Sequence, residues 1–235
     1  MLGGKVVVVT GASRGLGRAL ALAYAGEGAA VVATSRSQES FEPVLEELRD
    51  RGAEALGVAA DVSRGKDVEK LVGEAVERYG RVDVLVNNAG VLGPRTKLEE
   101  HTEEEWREVI DANLTGLFLV TKAVIPYMPQ GGSIINVVSG ASAGPRANWG
   151  AYAISKFGVE GLTGNLAIEL EERGIRVNAV DPGGMRTEMR ASAYPDEDPN
   201  TLITPEQNTA VFLYLASDES RGVTGERFKA QEFAR

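Results

Sequence analysis

The chain has 235 residues, 43% of them hydrophobic and 25% charged, with a formal net charge of −9 at pH 7 and no cysteine. That length suits one domain over residues 1–235, since a single core splits only near ~250–300 residues. The negative balance disfavours nucleic acid and anionic membranes as partners, and the missing cysteines exclude disulfides and thiolate metal sites. No unbroken apolar run approaches the ~18 residues of a membrane span. The first apolar run, Val6–Val9, is too short for a signal-peptide core, so a cytoplasmic location is expected.

The first expected strand, Lys5–Thr10, is a continuous valine run, the pattern of a parallel strand covered on both faces. It turns through Thr10-Gly11-Ala12-Ser13-Arg14-Gly15-Leu16-Gly17 into an expected helix, Gly15–Glu27. Glycines there let the backbone turn tightly and approach a pyrophosphate, which rests on the N–H groups of the helix start. The spacing is G-x-x-x-G-x-G rather than G-x-G-x-x-G, and any tight turn uses glycine, but the place after the first strand favours a nucleotide. The second strand, Ala30–Thr34, ends Ala33-Thr34-Ser35-Arg36-Ser37 with no acid before Glu39, and a helix over Glu39–Arg51 follows. An acid at that place would bond a ribose 2′-hydroxyl; Arg36, with Arg14 from the glycine turn and the Ser35 hydroxyl, suits a 2′-phosphate instead.

Strand Ala55–Ala60 delivers Asp61-Val62 to the same end, ahead of a helix over Lys66–Tyr79, and strand Val82–Val86 delivers Asn87-Asn88-Ala89-Gly90. The asparagines either tie adjacent strands or flank a nucleotide, and Asp61 either caps the next helix or meets a base; proximity to a nucleotide is the favoured reading of both. His101 has no companion for a metal site or a serine triad and reads as solvated, while the acid runs Glu103-Glu104-Glu105 and Asp196-Glu197-Asp198 lack metal-site spacing and read as solvated surface or helix-start charge. A capping box of Thr102 and Glu105 opens a helix over Thr102–Pro126 that contains Asn113. Strand Ser133–Val138 ends at Ser139, and the next helix, Gly150–Arg173, carries Tyr152 and Lys156. After strand Arg176–Val180, the stretch Gly183–Thr204 has no periodicity and suits a substrate lid. Pro205 opens a last helix to Ser217, and Arg227–Ala230 has room for a short final strand. Such alternation implies a doubly wound α/β sheet of about seven parallel strands with helices on both faces.

Tyr152 and Lys156, four apart on a helix, share one face. An ammonium beside a phenol lowers its pKa; bringing a phenol from ~10 to near 7 needs about 4 kcal/mol. Ser139 stands at a strand end, where open α/β sheets bind ligands.

In this order and over about residues 3–225, Thr10-Gly11-x-x-x-Gly15-x-Gly17, Asn87-Asn88-Ala89-Gly90, Asn113, Ser139, Tyr152-x-x-x-Lys156 and Pro182-Gly183 resemble the short-chain dehydrogenase/reductase family, including its 3-oxoacyl carrier-protein reductases. The resemblance implies a Rossmann-type fold and hydride transfer between NADP(H) and a carbonyl or secondary alcohol, such as a 3-oxoacyl thioester or a small ketone. A catalytically silent NADP(H) sensor or scaffold of this fold is the alternative. By the same resemblance, Ser139 bonds the substrate carbonyl, Tyr152 gives or takes the proton, Lys156 holds the nicotinamide ribose and Asn113 positions a relay water. Cofactor contacts are implied for Gly11, Ser13, Arg14, Gly15, Leu16, Gly17, Ser35, Arg36, Asp61, Val62, Asn88, Ala89, Gly90, Tyr152, Lys156, Pro182, Gly183, Met185 and Thr187, with no metal. Relatives pair the helices bearing Asn113 and Tyr152 between subunits, and Gly158, Gly161, Gly164 and Ala167 suit such contact, so a homodimer or homotetramer is expected. Two departures stand out. Val138 occupies the place of a frequent second serine, and after Gly222-Val223-Thr224-Gly225 the chain lacks the usual Asp-Gly-Gly, which leaves its last contacts open.

Overall fold

A computed structural model describes residues 2–233. In chain order the elements are β1 (Val6–Thr10), α1 (Gly15–Gly26), β2 (Ala30–Ser35), α2 (Gln38–Asp50), β3 (Ala55–Ala59), α3 (Gly65–Tyr79), β4 (Val84–Asn87), α4 (Glu103–Ile110), α5 (Gly116–Val124), β5 (Ser133–Val137), α6 (Gly150–Glu169), β6 (Arg176–Asp181), α7 (Glu188–Ala193), α8 (Ala210–Ala216) and β7 (Arg227–Lys229). All seven strands form one parallel sheet in the order β3-β2-β1-β4-β5-β6-β7. The doubly wound Rossmann-type fold is therefore present, with the short last strand pairing Ala179↔Arg227 through Asp181↔Lys229.

The valine run of β1 explains itself in this frame. Val7 and Val9 enter one apolar layer with Leu20, Val31, Ile135 and Phe212, while Val6 and Val8 enter the opposite layer with Leu71, Leu85, Val120 and Ile134. Each fully buried side chain of this size contributes about 1.5–3 kcal/mol. Strand order reverses between β1 and β4, which opens a crevice at their carboxyl ends.

Three segments differ from the sequence expectation. The helix expected over Thr102–Pro126 begins with the foreseen capping box, Glu105 N–H donating to Thr102 Oγ1 at 3.2 Å and Thr102 N–H to Glu105 Oε2 at 2.9 Å. It then widens to one turn of π-helix over Asp111–Thr115 before resuming as α5. The extra residue in that turn puts Asn113 inward, and such bulges are frequent at functional sites. From Glu103 to Tyr127 this helix is also long and apolar enough by composition to cross a membrane, although Leu117, Val120 and Val124 are buried in the fold. Secondly, Gly183–Thr204 is not structureless: it folds into α7, a 3-10 turn over Pro199–Thr201 and a parallel bridge between Met185 and Ile203. Thirdly, the segment from Pro205 starts as a 3-10 turn, Pro205–Asn208, and becomes α-helical only at Ala210.

Candidate active site

A cleft of ≈ 780 Å³ runs along the carboxyl ends of the strands. Every residue expected at the cofactor lines it, from Gly11, Ser13, Arg14, Gly15, Leu16 and Gly17 through Ser35, Arg36, Asp61, Val62, Asn88, Ala89 and Gly90 to Pro182, Gly183, Met185 and Thr187. Ser139, Tyr152 and Lys156 stand on the same wall, toward its other end.

The glycine turn is shaped by contacts that forbid side chains. Gly11 has φ +66°, and a Cβ there would meet Ala89 Cα at 2.9 Å; one on Gly17 would sit 2.1 Å from the Gly11 carbonyl. Arg14, the residue before α1, makes no side-chain cap, so the N–H groups of the first turn are left to the cleft. This is a cradle for a pyrophosphate.

Asn88 satisfies both readings of the asparagine pair. Its Nδ2 donates to the carbonyls of Thr10 (2.9 Å) and Gly11 (3.1 Å), tying β4 to the glycine turn, while the residue also lines the cleft. Asn87 ties strands alone, donating to Asn136 Oδ1 and Thr121 Oγ1 at 2.9 Å each. Asp61 likewise does two things: its Oδ1 accepts from Ser63 N–H and Oγ, and it faces the cleft. Burial alone would push its carboxyl up, but the Ser63 bonds with Arg64 and Arg36 hold it below the usual range.

At the reacting end, Ser139 Oγ accepts from Ala141 N–H at 3.2 Å. Lys156 is buried and donates to the Val137 carbonyl at 2.8 Å; its Nζ lies 5.8 Å from the Tyr152 ring centre. Burial lowers Lys156 to about 8. Burial raises the Tyr152 phenol, a bond with Ser139 only partly offsets this, and the Asp181 carboxylate adds to the rise. Lys156 is itself desolvated and committed to a carbonyl, so it supplies no counterweight in this structure.

Asn113 does not line the cleft. It is buried behind Gly90, with Oδ1 accepting from Val91 N–H (2.8 Å) and Nδ2 donating to the Val91 carbonyl (2.9 Å) and Ser155 Oγ (3.1 Å). It thereby locks the loop that follows β4, at Val91, to the helix that carries Tyr152 and Lys156. Arg14 is also engaged, in an ion pair with Glu188 of α7, whereas Arg36 is exposed at the rim with no carboxylate at ion-pair distance among the described residues. Ser35 Oγ is turned to Ser37 O and Ser40 Oγ at the start of α2. Thr187 caps α7 through Arg190 N–H, and Met185 Sδ accepts from Asn208.

Several side chains were not legible as site residues. Trp149 and Tyr194 line the cleft beside Tyr152, their rings 6.0 Å apart, with Arg95 over both. Glu197, expected as solvated charge, instead grips Arg190 through both oxygens at 2.6 Å and fixes α7. His101 is not solvated either: both ring nitrogens are buried without a partner among the described residues, packed on Gly150 at the start of α6. Asp181, Gln231 and Arg227 stand behind the reacting groups; Gln231 donates to the carbonyls of Pro182 (3.0 Å) and Gly184 (2.7 Å). The only sequence signal for Gln231 and Arg227 was the departure of the tail from the family pattern; Asp181 gave none beyond its place before Pro182.

A phosphate cradle and a Ser–Tyr–Lys wall in one cleft of a parallel sheet define a nucleotide-binding oxidoreductase. The short chain dehydrogenase model matches residues 5–198, and the chain belongs to that family. It is 37% identical over 236 residues to an uncharacterized oxidoreductase, YciK, of Escherichia coli, covering 98% of this chain and 93% of that protein. A 3-oxoacyl-[acyl-carrier-protein] reductase of Thermotoga maritima is 39% identical over 236 residues, covering 96% of this chain and 95% of its own length. Among solved structures, a short chain dehydrogenase from Escherichia coli complexed with NADPH superposes with a TM-score of 0.91 at 37% identity and covers 98% of both chains.

Proposed function

We propose that this protein reduces a ketone to a secondary alcohol with NADPH, or runs the reverse oxidation. The observation that carries the reading is the convergence of Ser139, Tyr152 and Lys156 on the cleft that begins at the glycine turn. Ser139 accepts from a backbone N–H, and its one hydroxyl proton, shared with Tyr152 in this structure, turns to a carbonyl oxygen when a substrate is bound. Tyr152, held neutral by burial, presents a phenol as acid to the same oxygen. Lys156, which donates one N–H to the Val137 carbonyl, has two more for a nicotinamide ribose, and Asn113 ties its helix to the loop after β4. Bound NADPH supplies the hydride. Leu92, Trp149, Ala193 and Tyr194 wall the substrate end and suit a ketone with an apolar or aromatic flank; the thioester named for the Thermotoga relative is one candidate. The test is NADPH consumption against a panel of 3-oxoacyl thioesters, alkyl ketones and aryl ketones. Turnover on at least one class is expected, and tight NADPH binding without turnover on any of them overturns the reading in favour of a sensor.

The pH profile of reduction follows from which form of each group works. Reduction uses the Tyr152 phenol and the Lys156 ammonium. As pH rises Lys156 loses its proton first, at about 8, while burial keeps Tyr152 protonated beyond its ordinary value. The rate is expected to hold level through neutral pH and fall above about 8. A plateau reaching the ordinary lysine value of ~10.4 would remove Lys156 from the reacting group.

We also propose a two-fold oligomer. The α5–α6 face leaves Phe118, Ile154 and Phe157 exposed, and Gly161 and Gly164 have open space before them. Of the small-residue row, Gly158 packs inward on Leu114 and Ala167 is buried, so Gly161 and Gly164 are the pair left to meet another copy. Light scattering at micromolar concentration is expected to give at least a dimer mass; a monomer mass contradicts the proposal.

A further inference from the structure

The tail that departs from the family pattern places one guanidinium directly behind the reacting side chains. Arg227 Nη2 donates to Asp181 Oδ2 at 3.0 Å and to the Ser139 carbonyl at 3.2 Å, and its Nε donates to Glu160 Oε1 at 2.8 Å. Asp181 Oδ1 accepts from Gly183 N–H at 3.0 Å. Ser142 Oγ lies 2.7 Å from the Ser139 carbonyl and 2.9 Å from Glu160 Oε1, which closes the ring of contacts. The side chains of Arg227, Glu160 and Asp181 are only 27%, 24% and 10% exposed, so these bonds are shielded from the screening that weakens surface pairs.

One side chain thus joins three elements: the end of β5 that delivers Ser139, the end of β6 that leads into Gly183, and α6, which carries Tyr152 and Lys156. We infer that Arg227 is a positioning residue of the reduction site, holding the Ser139 loop and the Gly183 turn in register with Tyr152. The inference rests on the reductase reading above. A planar guanidinium reaches several acceptors in a fixed fork, which an ammonium does not.

Charge reinforces the geometry. Tyr152 is faced by Lys156 from its own helix, by Ser139 from β5 and by Asp181 from β6. Glu160 and Arg227 stand behind these, with Arg146 near Gly140. Asp181 already raises the Tyr152 phenol, and Arg227 is its ion-pair partner. Without Arg227 the carboxylate is buried and unpaired, and its effect on the phenol grows.

The test compares Arg227→Gln, Arg227→Lys and the double variant Arg227→Gln/Asp181→Asn. Misplacement of reacting groups by a distant change costs up to about a hundredfold in rate. Arg227→Gln is expected to lower kcat at least about tenfold within that range. It should also move the limb of alcohol oxidation that needs the phenolate to higher pH. Removing the Asp181 charge in the double variant should return the limb toward wild type. Arg227→Lys should keep the wild-type limb with a reduced kcat. A loss of kcat with an unmoved limb and no reversal by Asp181→Asn marks general loosening and overturns the inference, as does an unchanged Arg227→Gln enzyme.

Hydrogen exchange supplies a readout that needs no turnover. The amides of residues 139–143 and 183–184 are expected to exchange faster in Arg227→Gln while those of β1 and β4 do not. If Arg227→Gln fails to fold, the same exchange pattern in Arg227→Lys decides, and wild-type exchange there overturns the inference. A wild type that reduces nothing on the panel sinks the reductase reading, whereas unchanged exchange at these two segments sinks the role of Arg227.

Discussion

Replacing Tyr152 with phenylalanine is expected to cut kcat for carbonyl reduction about 10²–10⁴-fold while NADPH binding stays near wild type. The substitution removes one hydroxyl and keeps the ring. That ring packs 5.6 Å from Trp149 and lies within the apolar group of Ala141, Ala153 and Ala193, so the wall of the cleft is retained. What goes is the proton facing the substrate and the bond between the phenol and Ser139. The cradle for the dinucleotide is built elsewhere, from Gly11, Gly17 and the first turn of α1, and Tyr152 takes no part in shaping it. The two quantities therefore separate: kcat collapses and the NADPH dissociation constant, read by fluorescence titration, barely moves. A Tyr152→Phe enzyme within a few-fold of wild type would falsify the assignment of the proton to this phenol. A parallel loss of NADPH affinity would show instead that the Tyr152 hydroxyl, the one group removed, also holds the nucleotide.

Much of this site was legible because its parts repeat simple rules. The valines of β1 read as a doubly covered strand since alternate side chains enter opposite layers, and the strand's fixed place then located the glycine turn. Tyr152 and Lys156 were legible as a pair because four residues is one helical turn. The π turn at Asp111–Thr115 was not, because one inserted residue leaves the apolar pattern of its flanks intact and is set by tertiary bonds of Asn113 to Val91 and Ser155. The six residues of α7 are too few for periodicity to show, and what fixes them is the Arg190–Glu197 pair. Of Asp196-Glu197-Asp198, read as solvated charge, Asp196 and Asp198 are exposed and only Glu197 departs, for the same reason. His101 was misread because burial by Gly150 is a contact between distant parts of the chain. The direction of the Tyr152 shift depended on burial and on Asp181, neither of which is local to the Tyr-x-x-x-Lys spacing.

Cofactor choice gives the second large effect: kcat/KM is expected to favour NADPH over NADH by about tenfold to a hundredfold. At the end of β2, where an NAD enzyme of this fold places an acid, the chain has Ser35 and Arg36. Arg36 lines the cleft, is exposed and has no carboxylate at ion-pair distance among the described residues. Arg14 is engaged with Glu188, yet both side chains are about three-quarters exposed, at 73% and 75%. Such a surface pair is worth only about 0–1 kcal/mol, so a phosphate dianion competes well for the Arg14 guanidinium. A hydrogen bond to a charged group contributes about 1.5–3 kcal/mol, and at ~1.4 kcal/mol per decade one such bond gives the stated preference. Ser35 adds little by this account, since its hydroxyl is turned to Ser37 and Ser40. The double variant Ser35→Asp/Arg36→Ala replaces the free cation with a carboxylate suited to a 2′-hydroxyl, and its preference should move toward NADH. Restoring Arg36 in the Ser35→Asp background should recover part of the NADPH preference, because Arg14 and Arg36 then both remain. If the wild type uses the two cofactors equally, Arg36 is only a solvated rim residue and the phosphate reading fails.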